Sequence, residues 1–183
     1  MTAASTLNLA PGTWNLDTAH TVIEFSVRHM MVSKVKGKFL TFEGAITVAD
    51  EVEDSKVAVS IDVSSVDTGN AQRDGHLRTT DFFDIEKHNT IAFASTGIKS
   101  DGGDWAITGD LTINGITKPV ELAVEFGGVA GEVAGFEAKA TVNRSDFGVN
   151  FQIPMENGGV VIGDKVTINL DVEAKLEKVS ADA

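Results

Sequence analysis

Apolar and polar residues alternate with a period of two along most of the chain. The clearest stretch covers residues 165–177, where Val166 and Ile168 begin an apolar row and Lys165 and Thr167 begin a polar one. Because successive side chains of a strand point to opposite faces, this period predicts β-strands rather than helices. Eight strands are predicted, over residues 22–30, 35–48, 56–64, 90–97, 104–113, 120–126, 136–143 and 165–177.

The connections between these strands are short and contain turn residues at 101–104, 114–115 and 127–131. Short connections join antiparallel neighbours, so the sequence predicts a meander. The strand over 35–48 changes its apolar parity between Phe39 and Phe42, which indicates a bulge near Gly37 or Gly44. An antiparallel sheet with one apolar face buries that face by closing, so the predicted fold is an all-β, eight-stranded, up-and-down barrel.

Two segments interrupt the alternation. Residues 70–78 predict a short helix between strands, capped by Thr68 or Asn70, and residues 144–164 predict a long loop. Loops of that length inside one domain are usually functional or mobile. We expect one barrel domain over residues 13–177, with a flexible lead-in at 1–12 and a tail at 178–183.

The composition of the chain excludes several classes of function. The chain has 183 residues, no cysteine and a net charge of −12. It therefore has no disulfide, thiolate metal site or cysteine nucleophile. The acidic balance counts against nucleic-acid binding and against electrostatic docking on anionic membranes. No apolar run is long enough for a membrane-spanning helix, so no stable membrane insertion is expected. The N-terminal segment resembles no export signal, and a cytoplasmic location is the expectation.

The predicted interior is rich in aromatic residues and has few polar atoms, because the chain has ten Phe, two Trp and no Tyr. Such an interior is either packed solid or encloses a cavity. The length of the predicted strands favours a cavity, which would accept a long hydrocarbon chain. The apolar candidates for its lining are Phe25, Val27, Phe39, Phe42, Phe93, Trp105, Phe126, Phe136 and Ile168.

Polar candidates are few. His29 shares the parity of Phe25 and is either a core histidine or a polar anchor for a ligand headgroup. Arg73 and His76 belong to a charged helix that is either solvated or a lid over the ligand. The histidines lack metal-ligand spacing, and no nucleophile motif is present, so we predict no metal, no cofactor and no enzyme activity.

Several motifs occur in the order found in one family. They are Trp14 to His20, Val22 to His29, Gly37 to Phe42, Asn70 to Leu77 with Asp81 to Asp84, Gly109 to Pro119, Arg144 to Gly148 and Gly163 to Val166. Together they span roughly residues 13–177, and on them the chain resembles the YceI-like family of bacterial polyisoprenoid-binding proteins. The segment His88-Asn89-Thr90 departs from the family pattern, which affects only the turn before the next strand.

The resemblance implies a lipocalin-like barrel that holds an isoprenoid or other long-chain, fatty-acid-like lipid, and it implies a homodimer. It also implies that Phe25, His29, Phe39, Phe42, Phe93 and Trp105 line the interior and that Arg73 and His76 lie in the family's helix motif. Two alternatives remain open. One is a lipid-modifying enzyme with an interior His/Asp pair, and the other is a ligand-free barrel that acts through a surface partner.

Overall fold

The computed structural model describes residues 7–101, 104–153, 155–156 and 161–178. Eleven strand segments and one helix, α1, occupy this part of the chain. The strands are β1 Gly12–Leu16, β2 Val22–His29, β3 Ser33–Phe39, β4 Phe42–Val48, β5 Lys56–Asp62, β6 Val66–Asp67, β7 Thr90–Asp101, β8 Asp104–Ile113, β9 Ile116–Ala130, β10 Val133–Asn143 and β11 Ile162–Leu176. Helix α1 spans Ala71–Leu77, and 3-10 turns cover Val52–Asp54, Val63–Ser65 and Arg144–Phe147.

The eleven segments form the eight antiparallel strands of a closed barrel. Three barrel strands are each broken into two segments, namely β1 with β2, β3 with β4, and β5 with β6. The long strand β11 shows this most directly, since it pairs with β1 through Ala174 and Leu176 and with β2 through Val166 to Asp171. Pairing of β1 with both β4 and β11 closes the sheet. The predicted eight-stranded antiparallel barrel with one short helix is confirmed.

The parity change within residues 35–48 is real, but its predicted cause is wrong. The strand is interrupted at Leu40 and Thr41, and neither Gly37 nor Gly44 eases a bulge. The backbone N–H groups of Leu40 and Thr41 both donate to Ser65 Oγ, at 3.1 and 3.0 Å. Ser65 thus satisfies two donors that the break removes from the ladder.

The predicted turns have three outcomes. At Asn114–Gly115 the hairpin is confirmed, with φ of 55° and 73°, the left-handed pair of a type I′ turn. The predicted loop over 127–131 is mostly strand, because β9 runs to Ala130 and the turn is Gly131–Glu132. The turn predicted at 101–104 contains residues 102 and 103, which lie outside the described residues.

Helix α1 is confirmed, and its cap is Asn70, whose Oδ1 accepts a hydrogen bond from the Arg73 N–H at 2.9 Å. Within the described residues, no helix has the length and apolar character needed to cross a membrane. Helix α1, the β8–β9 turn, the end of β2 and the start of β11 meet at one end of the barrel, which we call the α1 end. Gly115 lies against the His88 ring there, which joins the β8–β9 turn to the segment after α1.

The opposite end is covered by residues before β1 and after β4. Leu9 is only 6% exposed and belongs to a buried cluster with Trp14, Val48 and Val52. The Trp14 Nε1–H donates to the Ala10 carbonyl at 2.9 Å. The sequence predicted a flexible lead-in over residues 1–12, whereas its described part packs against the barrel and continues into β1 at Gly12.

Candidate ligand-binding site

The barrel interior contains a cavity of about 480 Å³, a volume typical of small-molecule sites. Its wall is built from the inward-facing side chains of the strands, since alternate residues of each strand share one face. Several inward-facing residues, such as Phe25, Phe93 and Ile168, are only partly buried although they face the interior. A solid core would cover them completely, so the barrel is hollow.

The cavity collects all but one of the predicted site residues. Its lining includes Phe25, Val27, His29, Phe39, Arg73, His76, Phe93, Trp105, Phe126, Phe136 and Ile168. Phe42 does not line it. The Phe42 side chain is 7% exposed and belongs to a packed cluster with Ile23 and Val63. Phe42 has the inward parity of its strand, but the side chains of this cluster fill the space around it.

An aromatic cluster covers the α1 end of the cavity. The His76 ring meets Phe82 and Phe151 edge-on, with centroids 5.1 and 4.9 Å apart, and Phe82 and Phe151 lie 5.1 Å apart. These residues come from α1, from the segment after it and from the loop after β10, and all three line the cavity. The charged helix therefore covers the cavity, and Arg73 and His76 are also exposed to solvent, so both sequence interpretations of the helix fit its position. Contact of Arg73 and His76 with a ligand stays a prediction.

Arg73 is held at the cavity by Thr68. Its Nε donates to Thr68 Oγ1 at 2.7 Å and its Nη2 donates to the Thr68 carbonyl at 2.9 Å. Thr68 in turn donates to the buried Asp74 carboxylate through its Oγ1 and N–H, at 2.6 and 2.9 Å. Because a guanidinium carries five N–H donors, these contacts orient Arg73 and leave capacity for a ligand.

His29 lies at the end of β2 and is partly buried. Among the described residues, His29 forms hydrogen bonds only with its backbone groups. One of them is from the Val32 N–H to the His29 carbonyl, at 3.2 Å. The imidazole faces the cavity from a rigid strand, a position that suits a polar anchor.

Arg144 is the residue that the sequence analysis missed. It lines the cavity and donates to the carbonyls of Val149, Phe151, Ile162 and Gly163, at 2.8 to 3.3 Å. Burial lowers the pKa of this guanidinium, and the Asp164 carboxylate opposes that effect. Arg144 therefore fixes the loop after β10 against the start of β11, and its donors serve the fold more than a ligand.

An interior His/Asp pair, the basis of the enzyme alternative, is not found among the described residues. The two His–Asp contacts there are His20 with Asp17 and His76 with Asp81. His76 Nε2 lies 2.7 Å from Asp81 Oδ2, but the two side chains are 44% and 47% exposed. This pair is therefore solvent-exposed rather than the interior pair that the enzyme alternative requires.

One group of metal-ligand type lies outside the barrel. Ligand atoms of Asp17, His20 and Glu173 lie within 4.8 Å of one another. The Lys175 ammonium already pairs with Asp17 at 3.0 Å and takes the position that a metal ion would need. Hydrogen bonds from His20 and Lys175 lower the Asp17 pKa to about 2, and the Asp17 carboxylate raises the His20 pKa.

Fold and cavity together define a small barrel protein with a mostly apolar internal cavity. The model of the YceI-like domain matches residues 14–174, and the chain belongs to that family. A UPF0312 protein of Pectobacterium carotovorum is 43% identical over 137 residues, which is 71% of each chain.

Two solved structures extend the comparison. The YceI protein of Campylobacter jejuni is 31% identical, with a TM-score of 0.71 over 82% of this chain and 90% of that one. A polyisoprenoid binding domain from Saccharophagus degradans shares the fold, with a TM-score of 0.69 at 16% identity, over 90% of this chain and 98% of that one.

Proposed function

We propose that this protein binds one long-chain isoprenoid or related amphipathic lipid, with the chain inside the barrel and the headgroup at the α1 end. The observation that carries the proposal is the distribution of side chains around the cavity. Its arginines and histidines all lie at the α1 end, and they are Arg28, His29, Arg73, His76 and Arg144. The walls below them are lined mostly by aliphatic and aromatic residues, and Thr21, Glu24 and Ser55 are the polar exceptions.

This distribution matches an amphipathic ligand. Each methylene group buried in the barrel contributes about 0.8 kcal/mol, so a long apolar chain supplies most of the affinity. Arg73 is oriented by Thr68 and offers donors to a headgroup that accepts hydrogen bonds, such as a hydroxyl, carbonyl or phosphate. The description of the Saccharophagus degradans domain as polyisoprenoid binding supports an isoprenoid as the chain.

Binding without catalysis is part of the proposal. It is supported by the exposure of the His76–Asp81 pair and by the use of Arg144 donors on backbone carbonyls. The protein would then sequester, store or transport its lipid. The homodimer that the family resemblance implies stays a prediction, which sedimentation of the purified protein tests.

The experiment is lipid extraction from gently purified protein, followed by mass spectrometry and by melting of the delipidated protein with added isoprenoid. We expect an extractable lipid and, at a ligand concentration of about 100 Kd, a stabilisation of about 2.7 kcal/mol. For a domain of this size that corresponds to a Tm increase of about 5–10 °C. Repeatedly empty extracts together with an unchanged Tm would overturn the proposal.

Variants of the cover locate the headgroup. R73Q removes a charged donor that faces the cavity, and we expect binding about tenfold or more weaker. K99Q is the matched control, because Lys99 is exposed on β7 toward the opposite end of the barrel. Equal affinities of R73Q and wild type would contradict a headgroup at the α1 end.

A further inference from the structure

The turn between β2 and β3 carries an exposed apolar cluster. Met30, Met31 and Val32, which we call the hairpin tip, are 43%, 68% and 82% exposed. Single exposed apolar residues are common on proteins and need no explanation. Three consecutive ones at the end of a projecting hairpin form a surface patch of the kind that binds a partner.

The backbone of the hairpin tip shows that the fold does not require these residues. The Val32 N–H donates to the His29 carbonyl, and Met30 and Met31 have φ of 51° and 62°. Both central residues are thus left-handed, as in a type I′ turn, which favours Asn-Gly and disfavours most other side chains. Methionine at both positions is unfavourable for folding, so its presence points to a role outside the fold.

The strands beside the hairpin tip carry an uncompensated positive charge. Arg28, Lys34 and Lys36 are exposed, and none forms an ion pair with another described residue. Arg28 and Lys34 are direct cross-strand partners, an arrangement in which like charges repel. An external anion between them would relieve this repulsion.

Acidic residues do not neutralise this cluster. Glu24 and Asp67 are the cross-strand partners of Lys38, further from the hairpin tip. Asp164 follows Gly163, which lies against Arg28, but it forms no ion pair with another described residue and carries one negative charge against three positive ones. Charges separated by more than about 8–10 Å are largely screened in physiological salt, so the local cluster outweighs the net charge of −12.

The hairpin tip lies at the rim of the cavity, at the α1 end of the barrel. His29, which precedes it, and Val35, which follows it, both line the cavity. The Met30 N–H donates to the Val161 carbonyl at 2.7 Å, which fixes the hairpin tip to the start of β11. Ile153, another cavity residue, is 51% exposed on the same rim, where its neighbour Gln152 hydrogen-bonds to Ile162.

We propose that the hairpin tip docks reversibly onto an anionic lipid bilayer. Met30, Met31 and Val32 enter the interface between headgroups and chains, and Arg28, Lys34 and Lys36 contact anionic headgroups. Docking in this orientation sets the α1 end of the cavity against the membrane surface. The docking proposal depends only on the hairpin tip and the three cations beside it. The idea that docking loads the cavity rests in addition on the proposed function.

The test is co-sedimentation of the full chain with vesicles of phosphatidylcholine alone or with a third of phosphatidylglycerol. We expect binding to the anionic vesicles that weakens as salt is raised, and little binding to the neutral ones. A basic residue near an anionic surface contributes about fivefold to affinity, so K34Q/K36Q is expected to bind about 25-fold more weakly. K56Q/K99Q, with the same change of charge toward the opposite end, is expected to bind like wild type.

The hairpin tip itself is tested by M30N/M31G. This variant places the preferred residues in the type I′ turn, so its Tm is expected to equal or exceed that of wild type. Its vesicle binding is expected to fall by about tenfold or more, because the apolar anchor is gone. L40N is the matched control, since Leu40 is 56% exposed but lies at the break between β3 and β4.

Three results would overturn the docking proposal. The first is that the wild-type protein does not bind anionic vesicles. The second is that M30N/M31G binds them as well as the wild type does. The third is that the protein forms a dimer that buries the hairpin tip and that M30N/M31G dissociates. Isoprenoid delivered from cyclodextrin measures the cavity separately, and M30N/M31G should bind it normally. Vesicle binding without isoprenoid binding would refute the proposed function and leave the docking surface intact.

Discussion

Substitution of Ala138 by phenylalanine tests whether the barrel is hollow. Ala138 is a half-buried residue of β10 that lines the cavity. Its cross-strand partners, Leu170 and Val124, line the cavity as well. A phenyl ring at this position therefore enters the open space that we assign to the lipid chain.

The A138F substitution is expected to weaken lipid binding and to raise the stability of the delipidated protein. Both effects follow from the cavity volume of about 480 Å³. The ring takes the space of about five methylene groups, so lipid binding is expected to weaken by up to about 4 kcal/mol, or about a thousandfold. In the delipidated protein the ring fills empty space and buries its own apolar surface. The free energy of unfolding is then expected to rise by about 1–2 kcal/mol.

The assays are urea denaturation of delipidated protein and titration with an isoprenoid alcohol. A123F is the matched control, because Ala123 is exposed on the outer face of β9. It should change neither quantity by more than about 0.5 kcal/mol. If A138F instead lowers stability by about 1–3 kcal/mol, as overpacking of a solid core does, the barrel is not hollow and the reasoning is refuted.

Three further predictions concern the elements around the cavity. R144Q leaves backbone carbonyls of the loop after β10 without their charged donor. Urea denaturation should therefore show a free energy of unfolding that is lower by about 2–4 kcal/mol. Unchanged stability would contradict the role given to Arg144. N70A removes the cap of α1 and should lower the free energy of unfolding by about 1 kcal/mol. Hydrogen exchange should become faster only in the helix, and an equal acceleration throughout the barrel would contradict the capping role of Asn70. The Asp17–His20 contact should make stability depend on pH in two windows: the Asp17 contribution is lost as pH falls from about 4 through about 2, and the His20 contribution is lost as pH rises from about 6.5 through its raised pKa. In D17N the His20 pKa measured by NMR should fall toward its ordinary value, and an unchanged pKa would show that Asp17 is not the cause.

The strands and their inward faces could be predicted because a pleated backbone makes a period of two visible in the sequence. Asn70 as a helix cap and Asn114–Gly115 as a turn are equally local signals, and both were confirmed. The strand break at Leu40 left only a parity change, because the hydroxyl that accepts its free N–H groups belongs to the distant Ser65.

The role of Arg144 could not be predicted for a similar reason. Its four carbonyl acceptors belong to backbone groups that look alike in any sequence, and only the path of the loop brings them together. Phe42 shares the inward parity of its neighbours but packs beside the cavity instead of lining it. Parity selects the face of a strand, whereas the position of open space depends on how all the side chains fill the barrel.

The net charge of the chain does not show how its charges are arranged. A net charge of −12 predicted no electrostatic affinity for anionic membranes, yet Arg28, Lys34 and Lys36 lie together beside an exposed apolar turn. Screening in salt makes the local arrangement of charges more important than their sum. Composition alone could not reveal this, because the pairing of β2 with β3 brings the three cations onto one face.

The most direct test of the central claim is a methyl NMR titration of delipidated protein with an isoprenoid alcohol. The account predicts saturation at one ligand per chain, with shifts of the interior methyl groups of Ile107, Leu122 and Ile168. The methyl groups of Val22, which is 42% exposed and does not line the cavity, should not shift. Interior methyl groups that stay unchanged at saturating isoprenoid, or shifts confined to the outer surface, would contradict a lipid-binding barrel.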